Sequence, residues 1–337
     1  MNRIDLLLNG MGNVHRNLLR LLDRQRDLLR ERHGLTFRVV GVVDSQGALW
    51  NPEGLAPAHV LEAKAQHGTV AADPAGERGA TALSLLERHT ERPLTLLEAT
   101  PVDLETGGAG LAAMRHALST GHAVVSANKA PLVLAFQELA RLAQAHGGGL
   151  AYSATVCGGL PVVNLGRYDL AHATVTRLEG ILNSTTHYLL TAMESGRAYA
   201  DALAEAQAVG IAETDPTLDV SGWDAANKLI ILANSVLRQP AGKANVEVTG
   251  IEEVTAEHLR AARAGGGALK LVARAAWNGD RYELSVAPRV LPLSHPLAQL
   301  IGHEMGVRLE TDINGEIFLS IHEEDPTPTA AAMLRHR

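Results

Sequence analysis

The feature that most limits what this chain can become lies in its first fifteen residues. Ile4 to Leu8 is an apolar, strand-forming run that leads directly into Gly10-Met11-Gly12-Asn13-Val14-His15. Asn17 to Arg32 follows, with Leu18, Leu21, Leu22, Leu28 and Leu29 on one helical stripe and Gly34 as the stop. Strand, glycine turn and helix in that order make a cradle for a pyrophosphate. Gly10 permits the tight turn, Gly12 lets the backbone approach the anion, and the N–H groups that open the helix, at Asn13 and Val14, face it. His15 stands where a third glycine usually allows close helix–strand packing. Its ring must therefore turn outward, or the helix must stand off the strand.

A second strand, Phe37 to Val43, ends at Asp44. A carboxylate there accepts hydrogen bonds from ribose hydroxyls and repels an additional phosphate, which favours NAD over NADP. The same residue also reads as a turn opener before Ser45 and Gly47. Further strands are predicted at Thr95–Ala99 and Ala123–Ser126, with helices at Gly110–Leu118 and Pro131–Ala145. Alternating strand and helix implies a parallel sheet covered on both faces. After about residue 150 the pattern changes. Helical segments crowd Thr185 to Leu237, and two β runs, Leu269–Ala276 and Tyr282–Val290, are joined through Asn278-Gly279, a hairpin signal. The fold class is thus α/β: a doubly wound Rossmann-type nucleotide-binding domain over residues 1–150, then an α+β domain.

Several classes are excluded. The net charge of −7 carries no basic run, and the arginines between Arg16 and Arg38 alternate with Asp23, Asp27 and Glu31, as on a solvated helix face. Nucleic acid is not the expected partner. The N-terminal apolar run, Leu6 to Leu8, is too short for a signal peptide or a membrane span, so no membrane partner and a cytoplasmic location are expected. The single cysteine, Cys157, sits between Val156 and Gly158 with no local base, and reads as a buried small hydrophobe. His303-Glu304 and His322-Glu323 lack the second histidine of a zinc protease, and no Gly-x-Ser-x-Gly elbow occurs.

Two places carry chemistry. Asp224 and Lys228 are four apart on a predicted helix and share one face, with Glu213, Asp215 and Asp219 in the loop before it. Carboxylates beside a lysine suit an amino-acid substrate, because they hold its ammonium while the lysine meets a carboxylate or a reacting oxygen. A helix-surface ion pair with an acidic capping loop has the same sequence. Lys129 follows the strand Ala123–Ser126, where α/β crevices form; taken alone it is an exposed turn lysine.

Five stretches, in order along nearly the whole chain, resemble homoserine dehydrogenase. They are Glu98-Ala99-Thr100-Pro101, Val124 to Lys129, Ala154 to Pro161, Gly180 to Tyr188, and Gly210 to Pro216 continuing through Asp219 to Lys228. The resemblance implies a nicotinamide-dependent enzyme that interconverts aspartate 4-semialdehyde and homoserine in threonine and methionine biosynthesis. It implies Lys228 as proton donor with Lys129 sharing the relay, and Glu213, Asp219, Asp224 and Thr185 around the substrate. Thr100, Lys129 and Gly210 would contact the cofactor. Backbone carbonyls of Val156 and Gly158 would hold a monovalent cation, although Ser153 replaces a glutamate common there.

The resemblance also divides the second half into a substrate and dimerisation domain at 151–315 and a segment at 316–337 that returns to the nucleotide domain, and it implies a homodimer. The chain corresponds to a short form, without an appended regulatory or kinase domain. Ser184 and His187 depart from the usual glycine and asparagine, and Glu323-Glu324-Asp325 replaces a glycine-rich loop. These departures keep two alternatives open: a related dehydrogenase with a shifted amino-aldehyde substrate, and a non-catalytic nucleotide-binding paralogue.

Overall fold

A computed structural model describes residues 2–89 and 92–335. The chain forms two compact units, residues 1–159 with 325–337, and residues 160–324.

The first unit is built on a seven-stranded sheet. Its strands are β1 (Asn2–Asn9), β2 (Leu35–Asp44), β3 (Gly47–Trp50), β4 (Gly76–Arg78), β5 (Thr95–Glu98), β6 (Ala123–Ser126) and β7 (Leu150–Ala151), in the order β4-β3-β2-β1-β5-β6-β7. Strands β2, β1, β5, β6 and β7 run parallel, and β3 and β4 form an antiparallel margin. Strand order reverses between β1 and β5, so a crevice opens at their carboxyl ends. The long helix expected at 17–32 is two helices, Asn13–Arg24 and Arg26–His33, broken at Gln25 (φ −104°, ψ 11°). The first buries Leu18, Leu19, Leu21 and Leu22, while the second buries no residue and spends its charges on pairs such as Arg30–Asp27. The second half reaches that core only through the partly buried Leu29.

His15 does not turn outward. It is fully buried, and its Nδ1–H donates to the Gly10 carbonyl at 2.5 Å. Burial pushes the imidazole down to about 4 against the pull of that carbonyl, so the ring is neutral at pH 7. The histidine thus pins the glycine turn from inside.

The second unit holds a six-stranded sheet of β8 (Val175–Ile181), β9 (Val246–Val248), β10 (Gly267–Trp277), β11 (Tyr282–Pro292), β12 (Met305–Thr311) and β13 (Gly315–Ile321), in the order β13-β12-β8-β10-β11-β9. The Asn278-Gly279 hairpin is present, closed by a four-residue loop between Trp277 and Tyr282. Leu178, Ala273, Ala275, Val307 and Leu309 are buried on one face, and helices Ser184–Glu194, Trp223–Ser235 and Ala256–Ala264 pack against β10. Glu179 and Arg308, paired at 3.0 Å, belong to the other face, which also carries a buried apolar cluster of Ile181, Val272, Leu291, Leu297 and Leu300.

Two boundaries differ from the sequence-based expectation. Residues 151–159 stay with the first unit, because Ala151 pairs with β6 and the turn at Ser153–Thr155 packs on the last helix. Residues 316–324 stay with the second, because β13 zips onto β12 from Thr311↔Gly315 to Met305↔Ile321. The chain returns to the first unit only at Asp325, where helix Thr327–Ala332 inserts Ala330 and Ala332, with Met333, among Leu18, Leu19 and Leu22. The last two residues of the expected segment lie outside the described residues.

Leu309 on β12 is fully buried opposite Leu178 of β8, and Ile313 at the β12–β13 turn is 68% exposed. Leu309→Ala should cost roughly 2–5 kcal/mol in urea unfolding, and Ile313→Ala should stay within about 0.5 kcal/mol; equal losses would contradict this assignment of faces.

Candidate active site

In the first unit, a cavity of about 840 Å³ lies at the carboxyl ends of β1, β2 and β5. Gly10 has φ +95°, and a Cβ there would stand 2.5 Å from the Ala99 carbonyl oxygen, so the turn admits only glycine. At Gly12 the Cβ direction is open for 4 Å, which leaves its backbone bare toward the cavity. The helix N-terminus follows with Asn13 exposed and Val14 half-buried, an anion site in its geometry. Thr100 lines the same cavity.

Asp44 is at the expected rim, but its carboxylate is already occupied. Oδ2 meets the Lys64 ammonium at 2.8 Å and the Val70 N–H at 2.9 Å, while Oδ1 accepts from the Thr69 hydroxyl at 2.9 Å and the Gln46 N–H at 3.0 Å. Burial opposes its charge, but Lys64 and these other donors outweigh it and hold the carboxyl below its ordinary value. A ribose hydroxyl would have to displace one of them. Lys64 also lines the cavity, so the rim carries a neutralised pair where the sequence showed one acid.

Glu98, at the end of β5, is fully buried. Burial pushes its carboxyl up, against donors from Thr100, Asn128 and Asn9. Lys129 is half-buried at the start of helix Ala130–His146, just beyond β6.

The turn after β7 holds Ser153 to Gly158. Cys157 is buried, as the sequence suggested, and both Cys157 (φ +51°) and Gly158 (φ +53°) are left-handed. Ser153 is completely buried, and its Oγ has no hydrogen-bond partner among the described residues.

In the second unit the helix-face reading of Asp224 and Lys228 becomes a bonded cluster. Lys228 Nζ is 2.8 Å from Asp224 Oδ2 and donates to the Leu182 carbonyl at 2.6 Å. Asn183 joins the acids: its Nδ2 donates to Asp219 Oδ1 and to Asp224 Oδ2, both at 2.7 Å. Its Oδ1 accepts from the Thr186 N–H at 2.8 Å and the Thr186 hydroxyl at 2.9 Å. All of the amide's capacity is used, so its orientation is fixed. Asn183 was not among the expected site residues, although an asparagine before Ser-Thr-Thr is a helix N-cap signal, and it caps helix Ser184–Glu194.

The remaining predicted residues are placed differently. The Thr185 hydroxyl donates to the Ile211 carbonyl at 2.9 Å and so ties down the loop that holds Gly210 (φ +81°) and Glu213. Glu213 is exposed in that loop. His187 is buried. Its Nδ1–H donates to the Glu304 carbonyl at 2.8 Å, and its Nε2 lies 2.9 Å from Lys270 Nζ. Burial and the Lys270 charge push His187 down to about 3, so the neutral ring accepts from the ammonium. Asp325 caps the last helix, accepting from the Thr327 N–H at 2.6 Å. Among the described residues no group of three His, Cys, Asp or Glu could hold a metal ion, and no helix is long and apolar enough to cross a membrane.

The first unit thus has the crevice of a Rossmann-type dinucleotide-binding fold, and the second carries an acid–amide–lysine cluster of its own. Comparison with known proteins narrows the class. Residues 161–336 match the family described as homoserine dehydrogenase. The homoserine dehydrogenase of Methanocaldococcus jannaschii is 33% identical over 98% of this chain and 96% of its own length. The NAD(+)-dependent homoserine dehydrogenase of Pseudomonas canavaninivorans is 34% identical over 99% and 95%. The crystal structure of homoserine dehydrogenase from Thermoplasma acidophilum superposes with a TM-score of 0.83 at 27% identity, covering 99% of this chain and 97% of that one. The chain belongs to the homoserine dehydrogenase family.

Asp44 generates a pH prediction. Its folded pKa is depressed, so it contributes stability that is complete above its unfolded value, about 3.9, and is lost as pH falls through the lower folded value. The stability gap between wild type and Asp44→Asn should be constant at neutral pH and shrink below about pH 4. Thermal unfolding across pH 2–7 measures it, and a gap independent of pH would refute the ionised assignment.

Proposed function

We propose that this chain interconverts L-homoserine and L-aspartate 4-semialdehyde, with the first unit holding the dinucleotide and the second the amino acid. The Asn183–Asp219–Asp224–Lys228 cluster carries the reading. Asp219 and Asp224 are two carboxylates oriented by one amide, and paired carboxylates are the groups that recognise an α-ammonium. Glu213 joins them on family resemblance. Lys228 is the proton carrier: it donates to the carbonyl oxygen on reduction and takes the hydroxyl proton back on oxidation. Lys129 shares the relay. Bound nicotinamide supplies the hydride acceptor or donor. Gly10, Gly12, Asn13 and Val14 hold its pyrophosphate, and Thr100 and Gly210 contact the rest of the dinucleotide.

Both cofactor forms suit the rim. The repulsion expected from Asp44 is offset by Lys64 at 2.8 Å, so a 2′-phosphate meets a neutral pair. Among relatives, the Pseudomonas canavaninivorans protein is named as NAD(+)-dependent, and a hyperthermophilic archaeal homoserine dehydrogenase, 25% identical with a TM-score of 0.83, was solved with NADPH. The turn at 153–158 suits a weakly held monovalent cation. Two successive left-handed residues redirect the carbonyls of Val156 and Gly158, and the buried Ser153 hydroxyl offers a further neutral oxygen. The bonds His187 makes to Lys270 and the Glu304 carbonyl occupy both ring nitrogens, which supports a structural task for this departure from the family pattern.

The test is absorbance at the reduced-nicotinamide band with homoserine, NAD or NADP in turn, and potassium, sodium or neither. Wild type should show a homoserine-dependent rise that a cation enhances, and Lys228→Ala should lose at least about 100-fold in turnover while still binding dinucleotide. No rise under any condition would overturn the enzymatic reading, and normal turnover in the variant would remove Lys228 from the proton step.

A homodimer formed through the second sheet completes the proposal. Trp277, Val290 and Leu293 are 44%, 57% and 38% exposed along the β10–β11 hairpin and its end. Sedimentation velocity should give twice the mass of one chain, and a single-chain mass at micromolar concentration would exclude it.

A further inference from the structure

We infer that Glu98 is the positioning residue of the cofactor site: its buried carboxylate ties the ends of β1, β5 and β6 into one fixed edge, and so sets Thr100 and the Asn128-Lys129 turn in place. The inference rests on the dinucleotide reading of the first unit.

Each strand end sends a donor to this one carboxylate. From β1, Asn9 Nδ2 donates to Oε2 at 2.6 Å. Just past β5, the Thr100 N–H donates to Oε1 at 2.8 Å, and the Thr100 hydroxyl is hydrogen-bonded to the same oxygen. Just past β6, Asn128 Nδ2 donates to Oε1 at 3.1 Å and reaches the Thr100 hydroxyl at 3.2 Å. Asn128 in turn shapes the segment around Lys129. Its N–H donates to the Ser126 hydroxyl at 3.1 Å, that hydroxyl donates to the Asn128 carbonyl at 2.9 Å, and its Oδ1 accepts from the Ala130 N–H at 3.0 Å. The backbone repeats the link, with Ala127 N–H donating to the Glu98 carbonyl at 2.8 Å.

The neighbouring helix makes room for the group. A Cβ on Gly110 would stand 2.6 Å from Glu98 Oε1, so the glycine of helix Gly108–Ser119 leaves the space that the carboxylate fills. Backbone bonds hold the first residue past two of the strand ends, Ala127 to the Glu98 carbonyl and Ala99 to the Asn9 carbonyl, whereas Thr100 and Asn128, one residue further on, are held by the carboxylate. A carboxylate accepts the several donors that no neutral side chain takes.

The asymmetry of the bonds supplies the test. Among the described residues, Oε1 serves Thr100 and Asn128, and Oε2 serves Asn9 alone. N9D places a second carboxylate against Oε2, and adding E98Q in the same chain reverses the pair, so that a glutamine amide donates to the new aspartate while its oxygen still faces Thr100 and Asn128. Binding of NADH and of NADPH is measured by calorimetry, and Tm alongside, for wild type, E98A, E98Q, N9D and N9D/E98Q. E98A and N9D should weaken dinucleotide binding by about tenfold or more, and N9D/E98Q should recover to within about threefold of wild type.

Recovery of Tm without recovery of binding in N9D/E98Q would overturn the inference, because the group would then only hold the fold. Wild-type affinity in E98A would overturn it too. If N9D does not fold, the E98Q and E98A pair decides: E98Q must bind at least about threefold tighter, and equal affinities refute the role. Wild type that binds neither dinucleotide would instead sink the functional reading on which the inference rests.

Discussion

A buried carboxylate forfeits several kcal/mol of hydration unless its oxygens are met by donors, and this chain buries carboxylates where its site is built. Asp44 is met by an ammonium, two backbone N–H groups and a hydroxyl. Glu98 is met by two side-chain amides, a hydroxyl and one backbone N–H. Asp224 is met by Asn183 and Lys228. Each solution recruits residues from separate strands, helices or loops. The cost of burying the charge is thereby turned into a positional constraint, since moving any donor exposes the acid's deficit.

The units differ in how much of this the sequence displayed. The nucleotide crevice was legible because its demands fall on the backbone: a left-handed Gly10 pressed against Ala99, and a bare Gly12, leave glycine as the readable answer. The Asp224–Lys228 pair was legible because helical geometry puts residues four apart together. The partners of Asp44 were not, since Lys64 and Thr69 lie twenty or more residues away and meet it only through the tertiary fold. Which of the two expectations for His15 would fail was hidden for a related reason. Outward was the natural direction for an imidazole, yet the Gly10 carbonyl supplied a partner that let it stay neutral and buried. Helix 17–32 was read too long because hydrophobic spacing does not report whether a core is present beneath it.

Departures from the family pattern resolve by the same accounting. His187, with the asparagine of the usual pattern gone, is matched by Lys270 from β10 and the Glu304 carbonyl, and Lys270 also donates to the Leu300 carbonyl at 3.1 Å. A neutral imidazole accepting from an ammonium satisfies both groups without placing a net charge pair in the interior. The acids at 323–325 stand where the family pattern has a glycine-rich loop. Asp325 proves to be spent locally on a helix start, where an acid is favoured by the N–H groups it faces.

The last helix shows how the two units depend on one chain. Thr327–Ala332 has six residues, far below the length at which a helix holds in water by itself. It exists because Ala330, Ala332 and Met333 fill the core beside Leu18 and Leu19, more than three hundred residues earlier. Closing so long a loop costs little more than closing a shorter one, roughly 0.6 kcal/mol for each doubling, and the side chains buried there each return more than that. The second unit can therefore sit as an insertion between Gly159 and Asp325 without weakening the first. Folding order follows from the same geometry. Strands β1 to β7 can assemble from contacts within the first 159 residues, whereas the core around Leu18 is completed only after the whole of the second unit has been made.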